Sequence, residues 1–496
     1  MDRRDFLKTS LAAGAALAAD RRAWGDEASK RPNLLFVFSD QQRASAMGCY
    51  PGDPDLATPH FDAFAAQGMR LETAVSNTPV CCPYRASLMT GKYGHNNGVV
   101  TNRLFPEPGR HAFLGESFRK AGYSCGYVGK WHLGQVATDP GDPRRLGFND
   151  AWYAHYSYHR HRRYEYATGA ETKVSGACAY SAEYETDLAL DFIKAQPGNR
   201  PWCLFLSWEP PHMPFNSPEQ YLEGFTEGQI RLHPNVPEGE SSSFAQRFLP
   251  HYYGLTVGLD RAFGRLMAEL DRLGLADDTI VVYSSDHGEL MGAHGLVFKR
   301  WPHRDSTHIP FLIRWPGRIP AGSTSAMPFG VPDVFPTVAG LAGLDVPAGL
   351  DGTDFSRLLR GKRKARQQEA SYLAMHYGYV PWPGWRGVRT ERYMYARTES
   401  GPWLLFDYHD DPWEEHNLVA DNPKLAAELD SLTLEEMKRH GDSWRGMPEP
   451  GGEYDRWVAR GSAQLHQVCG GDWPGKDIPV KKGWKERVYR TLSIRS

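Results

Sequence analysis

The chain is poor in features that would sort it at a glance. Its 496 residues hold 57 Lys+Arg against 59 Asp+Glu, a formal charge of −2. No excess of one sign runs through the molecule, which excludes a globally basic nucleic-acid binder. Beyond the first 20 residues there is no long uncharged run, and a bilayer needs about 20 apolar residues to be spanned; stable membrane insertion is not expected. Cysteine is scarce: Cys49, Cys81, Cys82, Cys125, Cys178, Cys203 and Cys469 show no paired C-x-x-C zinc signature, and an odd count leaves at least one outside any intramolecular bridge. Internal repeats are lacking, so a solenoid is not indicated. Hydrophobic residues at 41% and charged residues at 23% are ordinary for a folded protein and exclude a disordered or collagen-like chain. At roughly 100–200 residues per domain, the length fits two to four units or one large α/β core with an appendage.

What is present begins at the N-terminus. Arg3-Arg4 precede Phe6-Leu7-Lys8, and a small-residue apolar stretch from Thr9 to Ala19 ends in Ala16-Leu17-Ala18. A basic start, a short apolar middle and a small-residue end form the pattern of a cleaved export signal. Residues 1–18 resemble a twin-arginine signal, which implies export of the folded protein to the periplasm or beyond.

Four segments then share one design. Asn33 to Phe38 is an apolar run ending in Ser39-Asp40; Ser124 to Val128 leads into Gly129-Lys130-Trp131-His132; Trp202 to Leu206 leads into Glu209-Pro210-Pro211-His212; and Thr279 to Tyr283 leads into Ser284-Ser285-Asp286-His287. Continuous apolar runs read as buried parallel strands. Helix-period segments lie between them, Thr58 to Gly68 and Leu255 to Leu273, the latter with Leu259, Phe263, Leu266, Met267 and Leu270 on one stripe. Alternating strands and helices predict an α/β fold with a mainly parallel sheet, whose ligands gather at the carboxyl ends of strands. The polar residues fall at those ends in four places. Near residue 365 the basic stretch Leu359 to Arg366 marks a change of texture. Residues 31–365 are expected to form the catalytic domain and 366–496 a smaller C-terminal α+β subdomain with short strands and a helix from Pro423 to Arg439.

The densest chemical pattern is Cys81-Cys82-Pro83-Tyr84-Arg85, a C-x-P-x-R motif followed by Leu88-Met89-Thr90-Gly91. Other matching segments are Gly129 to Gly134, Pro211 to Phe215, Ser285 to Gly288, Phe406-Asp407, Asp411-Pro412 and Glu415 to Leu418. Together, and in this order over nearly the whole mature chain, they resemble the type I, formylglycine-dependent sulfatases of the alkaline phosphatase superfamily. The resemblance implies that superfamily's large, mainly parallel sheet flanked by helices. It also implies that a formylglycine-generating maturation enzyme oxidises Cys81 to 3-oxoalanine. The hydrated aldehyde carries two hydroxyls: one attacks sulfur and expels the alcohol, and the other then allows sulfate to leave by elimination, a covalent route that splits one hard step into two.

Asp40, Gln41, Cys81, Asp286 and His287 match the family's metal positions, with Ca²⁺ the expected ion. Two departures stand out: Gln41 where the family commonly has Asp, and His287 where it often has Asn. They lower the charge and soften the donors, so Mn²⁺ or Zn²⁺ enters beside Ca²⁺. By the same resemblance Arg85 braces the formylglycine and the metal carboxylates, and Lys130 and Lys299 hold sulfate oxygens. His132 bonds the diol or serves as the base for elimination. His212, with a pKa expected near neutrality, protonates the departing alcohol.

Between Tyr153 and Tyr166, His155, His159, Arg160, His161, Arg162 and Arg163 interleave with five tyrosines. This is either a substrate loop, with His159, Arg160 and Arg162 binding an anionic glycan, or a solvated basic loop. Trp382 and Trp385 either wall the cleft or pack between subdomains. The expected function is hydrolysis of sulfate monoesters, with a sulfated saccharide as substrate partner and no nucleic acid. The alternatives are a phosphonate or phosphate monoester hydrolase with the same nucleophile and a catalytically dead sulfated-glycan-binding protein.

Overall fold

The computed structural model describes residues 31–168, 174–362, 365, 367–376 and 384–444. The export segment, Trp382, Cys469 and residues 445–496 lie outside them. Sixteen strands are present among the described residues: β1 Asn33–Asp40, β2 Met69–Leu71, β3 Ala74–Val75, β4 Ser124–Lys130, β5 Ala151–His155, β6 Arg163–Thr168, β7 Val174–Ala177, β8 Trp202–Pro211, β9 Thr279–Ser285, β10 Phe311–Arg314, β11 Ser323–Ser325, β12 Phe329–Gly330, β13 Ala370–Met375, β14 Trp385–Thr390, β15 Tyr393–Thr398 and β16 Gly401–Asp407. The principal helices are α1 Pro59–Gln67, α2 Cys81–Thr90, α3 Ser181–Lys194, α4 Glu240–Arg272, α5 Val331–Leu341 and α6 Pro423–Arg439. Among the described residues no helix is long and apolar enough to cross a membrane.

The main sheet runs β11-β2-β10-β9-β1-β8-β4-β5-β6-β7. Its centre, β9-β1-β8-β4-β5, is parallel throughout, and antiparallel strands flank it on both sides. All eight residues of β1 are buried because both faces are covered. Leu35 and Val37 point into a core shared with α1, α3 and α4, whereas Leu34, Phe36 and Phe38 join α2 and α5 on the other face. The large, mainly parallel sheet flanked by helices is the α/β architecture expected of the sequence.

A second sheet, β13-β14-β15-β16, is antiparallel and carries the C-terminal texture. α6 covers one face through Ala426 and Leu429 against Val388, Tyr395 and Leu405. The other face, with Leu373, Trp385 and Met394, packs on Val75 and Val80 next to Cys81.

Local readings needed correction in two places. α4 begins 15 residues before Leu255 and runs through Pro250; burial of Phe244, Leu249, Tyr252 and Tyr253 offsets a proline cost of about 3 kcal/mol. The Tyr153–Tyr166 segment begins in β5 and ends in β6, an antiparallel pair, and is a loop only over residues 156–162, with His155, His161 and Tyr166 buried. β13 carried no expectation. Trp385 packs between the two sheets and donates its indole N–H to the Arg300 carbonyl at 2.9 Å. The six described cysteines are all free thiols.

Candidate active site

Parallel neighbours end on the same edge of a sheet. Asp40 therefore closes β1, Lys130 closes β4, His212 follows β8 and Asp286 follows β9, all along one rim. Close approach of β4 to β8 requires Gly129, whose φ is +103° and where a Cβ would meet the Ser207 carbonyl oxygen at 2.1 Å. Cys81 enters as the first residue of α2. Val80 before it is extended, Pro83 is tolerated in the first turn, and Gly91 (φ 62°) ends the helix in the left-handed region. The positive end of α2 thus faces the rim. Five non-glycine residues at the site are also left-handed: Gln41 (φ 68°), His132 (φ 51°), His159 (φ 49°), Phe298 (φ 64°) and Arg300 (φ 84°). Such backbone is sparsely populated, and here it turns side chains inward.

Cys81 Sγ lies 3.1 Å from His287 Nε2 and 3.8 Å from Asp40 Oδ1. Arg85 donates to Asp40 Oδ2 at 3.1 Å, to Asp286 Oδ2 at 3.1 and 3.2 Å, to Ser207 Oγ at 2.7 Å and to the Lys130 carbonyl at 2.6 Å. Lys130 Nζ is 2.7 Å from Asp40 Oδ2. Lys299 donates to Gln41 Oε1 and, at 3.0 Å, to His212 Nε2. Gln41 in turn donates to Glu289 at 2.5 Å. His212 Nδ1 donates to the Met213 carbonyl at 2.7 Å, and its ring stacks on His159 at 4.1 Å. His159 pairs with Glu209 at 3.2 Å, and Glu209 is 3.8 Å from Lys130.

The electrostatics of the cluster are unevenly matched. Burial would raise the Asp40 carboxyl, but Lys130, His212 and Arg85 outweigh it and hold it well below its ordinary range. Burial and the neighbouring Asp40 push Asp286 up to about 7. Burial and Asp40 push the Cys81 thiol to about 11. His132 is driven down by burial, Lys130 and Arg85. His212 is driven well below its ordinary value by burial, Lys299 and His159, so it does not sit near neutrality as the sequence led one to expect. Sequence gives the residue type, whereas the depression comes from neighbours contributed by other elements.

Cys81, Arg85, Lys130, His212, Lys299, Asp40, Gln41, Asp286 and His287 are joined by these contacts. His132 is buried at the same rim, under the exposed ring of Tyr156 at 5.0 Å. His159 reaches the cluster. Arg160 lines a small cavity of about 70 Å³ beside Glu209, whereas Arg162 is solvent-exposed and does not line it. Glu209, Glu289 and Ser207 carried no role in the sequence. Glu209 and Ser207 stand at a strand end and were open to the same positional argument, but nothing local marks Glu289.

One ligand atom from each of Asp40, Cys81, Asp286 and His287 falls within 4.8 Å of the others. His287 Nδ1 faces the Gly288 carbonyl at 3.1 Å, which leaves the Nε2 lone pair toward the cluster. Two buried carboxylates whose mutual repulsion raises Asp286 are a donor set suited to a divalent cation. The Gln41 side-chain oxygen is engaged by Lys299.

Comparison with known proteins agrees with this arrangement. Residues 32–344 match the sulfatase family model, residues 292–440 match the C-terminal model of N-sulphoglucosamine sulphohydrolase, and residues 1–19 match the twin-arginine translocation signal, which marks the chain for export. An ulvan-active sulfatase from Formosa agariphila is 35% identical over 85% of this chain and 83% of its own. An endo-4-O-sulfatase from Bacteroides thetaiotaomicron is 30% identical over 81% of this chain and 91% of its own. A solved structure from the metabolism of multiple glycosaminoglycans by Bacteroides thetaiotaomicron superposes with a TM-score of 0.75 at 27% identity, covering 84% of this chain and 98% of that one. On this ground the chain belongs to the sulfatase family of the alkaline phosphatase superfamily, the sulfuric ester hydrolases.

Proposed function

We propose that this protein removes sulfate from a sulfated saccharide, using a formylglycine made from Cys81 and a divalent metal held by Asp40, Asp286 and His287 with Gln41 beside them. The observation that carries the reading is the setting of Cys81 itself. A cysteine nucleophile needs a depressed pKa, yet burial and Asp40 raise this thiol to about 11. As a thiol it is inert; as an aldehyde hydrate it offers one hydroxyl for attack on sulfur and a second for release of sulfate. A bound divalent ion supplies positive charge that favours the ionised hydroxyl and offsets charge on the sulfate oxygens.

The chain's own groups do the rest. Arg85 fixes both carboxylates in one plane of contacts. Lys130 and Lys299 present ammonium groups to the sulfate oxygens, where charge shifts in the transition state. Neutral His132 accepts the proton of the second hydroxyl as the C–O bond to sulfate breaks and the aldehyde reforms. His212 faces the leaving alcohol; the negative charge of the substrate beside it works against the depression by Lys299 and favours proton donation. The exposed rings of Phe105 and Tyr156, with His159 and Arg160, form the saccharide side of the mouth. The ulvan and endo-4-O-sulfatase relatives support a glycan substrate.

Protein co-produced with a maturation enzyme should carry an aldehyde in the peptide containing Cys81, by mass spectrometry. It should release sulfate from defined sulfated oligosaccharides faster than it cleaves aryl phosphate or phenylphosphonate. Phosphonate turnover well above sulfate turnover would overturn the substrate class, and glycan binding without sulfate release by matured protein would overturn the enzymatic reading.

A further inference from the structure

Metal-binding side chains converge a second time, at residues that share nothing with the catalytic cluster. His95 lies in the turn after α2, His376 directly follows β13, and Asp442 follows α6. One donor atom from each lies within 4.8 Å of the other two. His376 Nε2 is 3.4 Å from Asp442 Oδ1, and His95 Nδ1 is 4.0 Å from Asp442 Oδ2. All three side chains are at most 4% exposed.

Their hydrogen bonding is what points to an ion. His95 Nε2 faces the His440 carbonyl at 3.0 Å. A carbonyl only accepts, so Nε2 carries the proton and Nδ1 turns its lone pair toward the carboxylate. Nδ1 of His95 and both ring nitrogens of His376 are buried without a well-aligned hydrogen bond. Leaving buried polar atoms unpaired is destabilising unless a ligand completes them. A lone pair facing a carboxylate oxygen across 4.0 Å is repulsive when nothing lies between, and the 3.4 Å from His376 Nε2 to Asp442 Oδ1 is close to the spacing of about 3.3 Å that two donors keep around tetrahedral zinc with bonds of roughly 2.0 Å. On the far side of Asp442, Arg386 Nη2 donates at 3.2 Å, Arg386 Nε at 2.5 Å and Tyr372 Oη at 2.5 Å. Such outer contacts orient a metal-ligating carboxylate, as the His440 carbonyl orients His95.

We propose that His95, His376 and Asp442 form a second, structural metal site that takes Zn²⁺ through the two imidazoles and one carboxylate oxygen, pinning the end of α6 and the end of β13 to the turn after α2. Two nitrogens and one oxygen, with a fourth position for water, match zinc better than calcium or magnesium, which prefer all-oxygen shells.

The test uses full-length protein equilibrated with Zn²⁺ while excess Ca²⁺ fills the catalytic cluster. Wild type should hold one zinc more than His376→Gln or His95→Gln, by elemental analysis after gel filtration. The zinc dissociation constant should rise by at least about 100-fold in either variant. Zinc should raise the melting temperature of wild type and leave that of the variants unmoved. Equal zinc content in wild type and variants overturns the site. If neither variant folds, Co²⁺ added to Ca²⁺-loaded wild type decides: a tetrahedral d–d band saturating at one equivalent supports the site, and its absence overturns it.

Discussion

Two of the charge clusters buried in this molecule differ in how well they are balanced. In the first, Arg43 meets Asp53 at 2.7 Å and Asp305 at 3.3 Å, and His233 meets the same two carboxylates at 2.7 and 3.6 Å. Burial opposes every one of these charges, yet the partners win: Asp53 and Asp305 are lowered, and Arg43 and His233 are raised. Each group is held more firmly in its charged form. Around Cys81 the same ingredients disagree. Asp40 is lowered while Asp286 is pushed to about 7, and three imidazoles are driven down. A cluster that is complete by itself stabilises the fold; one that is unbalanced is open to guests, which on the proposed function are a cation and an anionic ester.

The largest expected effect separates chemistry from folding at the second cluster. Cys81→Ala should abolish sulfate release, by about 10⁴-fold or more, while the urea midpoint changes little. Arg43→Met should do the reverse. It strands Asp53 and Asp305 in the interior, and unfolding free energy should drop by about 3–5 kcal/mol. Matched urea titrations and turnover per folded molecule check both. If Arg43→Met costs no stability, the two clusters do not differ as argued.

Much of this was legible in the sequence, for a physical reason. A parallel strand buried on both faces must be continuously apolar, so Asn33 to Phe38, Trp202 to Leu206 and Thr279 to Tyr283 announced themselves, and their polar ends located Asp40 and Asp286. The motif around Cys81 and Arg85 was readable because its residues are adjacent. What stayed hidden depends on contacts between distant segments. Glu289 is linked to Lys299 by hydrogen bonds through Gln41, and the fall in the His212 pKa needs Lys299 and His159 at its side. The Tyr153–Tyr166 segment was half legible: residues 156–162 form the expected loop, but nothing local showed that its ends pair as strands and bury His155 and Tyr166.

Chelation sharpens the comparison further. With the metal removed, Asp286 must ionise next to Asp40 as pH rises. Its folded pKa of about 7 lies above its unfolded value, so in metal-free protein its contribution to stability is complete below about pH 4 and is lost as pH climbs through 7. Metal-loaded protein should lack that slope, because a cation favours the ionised pair. Thermal melts with chelator and with Ca²⁺, over the same pH series, measure the difference; parallel curves would count against a metal between these carboxylates.

The smallest effect belongs to His233 in the balanced cluster. Its folded pKa is raised, because Asp53 and Asp305 outweigh burial and Arg43. Its contribution is therefore complete below the unfolded value near 6.5 and fades as pH rises through the folded value. His233→Gln should cost about 1–2 kcal/mol near pH 6, and the gap from wild type should narrow as pH rises through the folded value and the imidazole loses its charge. Asp53 and Asp305 act with the opposite sign, since their lowered pKa values give stability that is lost only as pH falls below about 4. The alkaline narrowing of the gap is thus assignable to His233 alone within this cluster. Urea midpoints of wild type and variant across the pH series settle it, and a gap that stays constant as pH rises through the folded value would mean that His233 packs there without carrying charge.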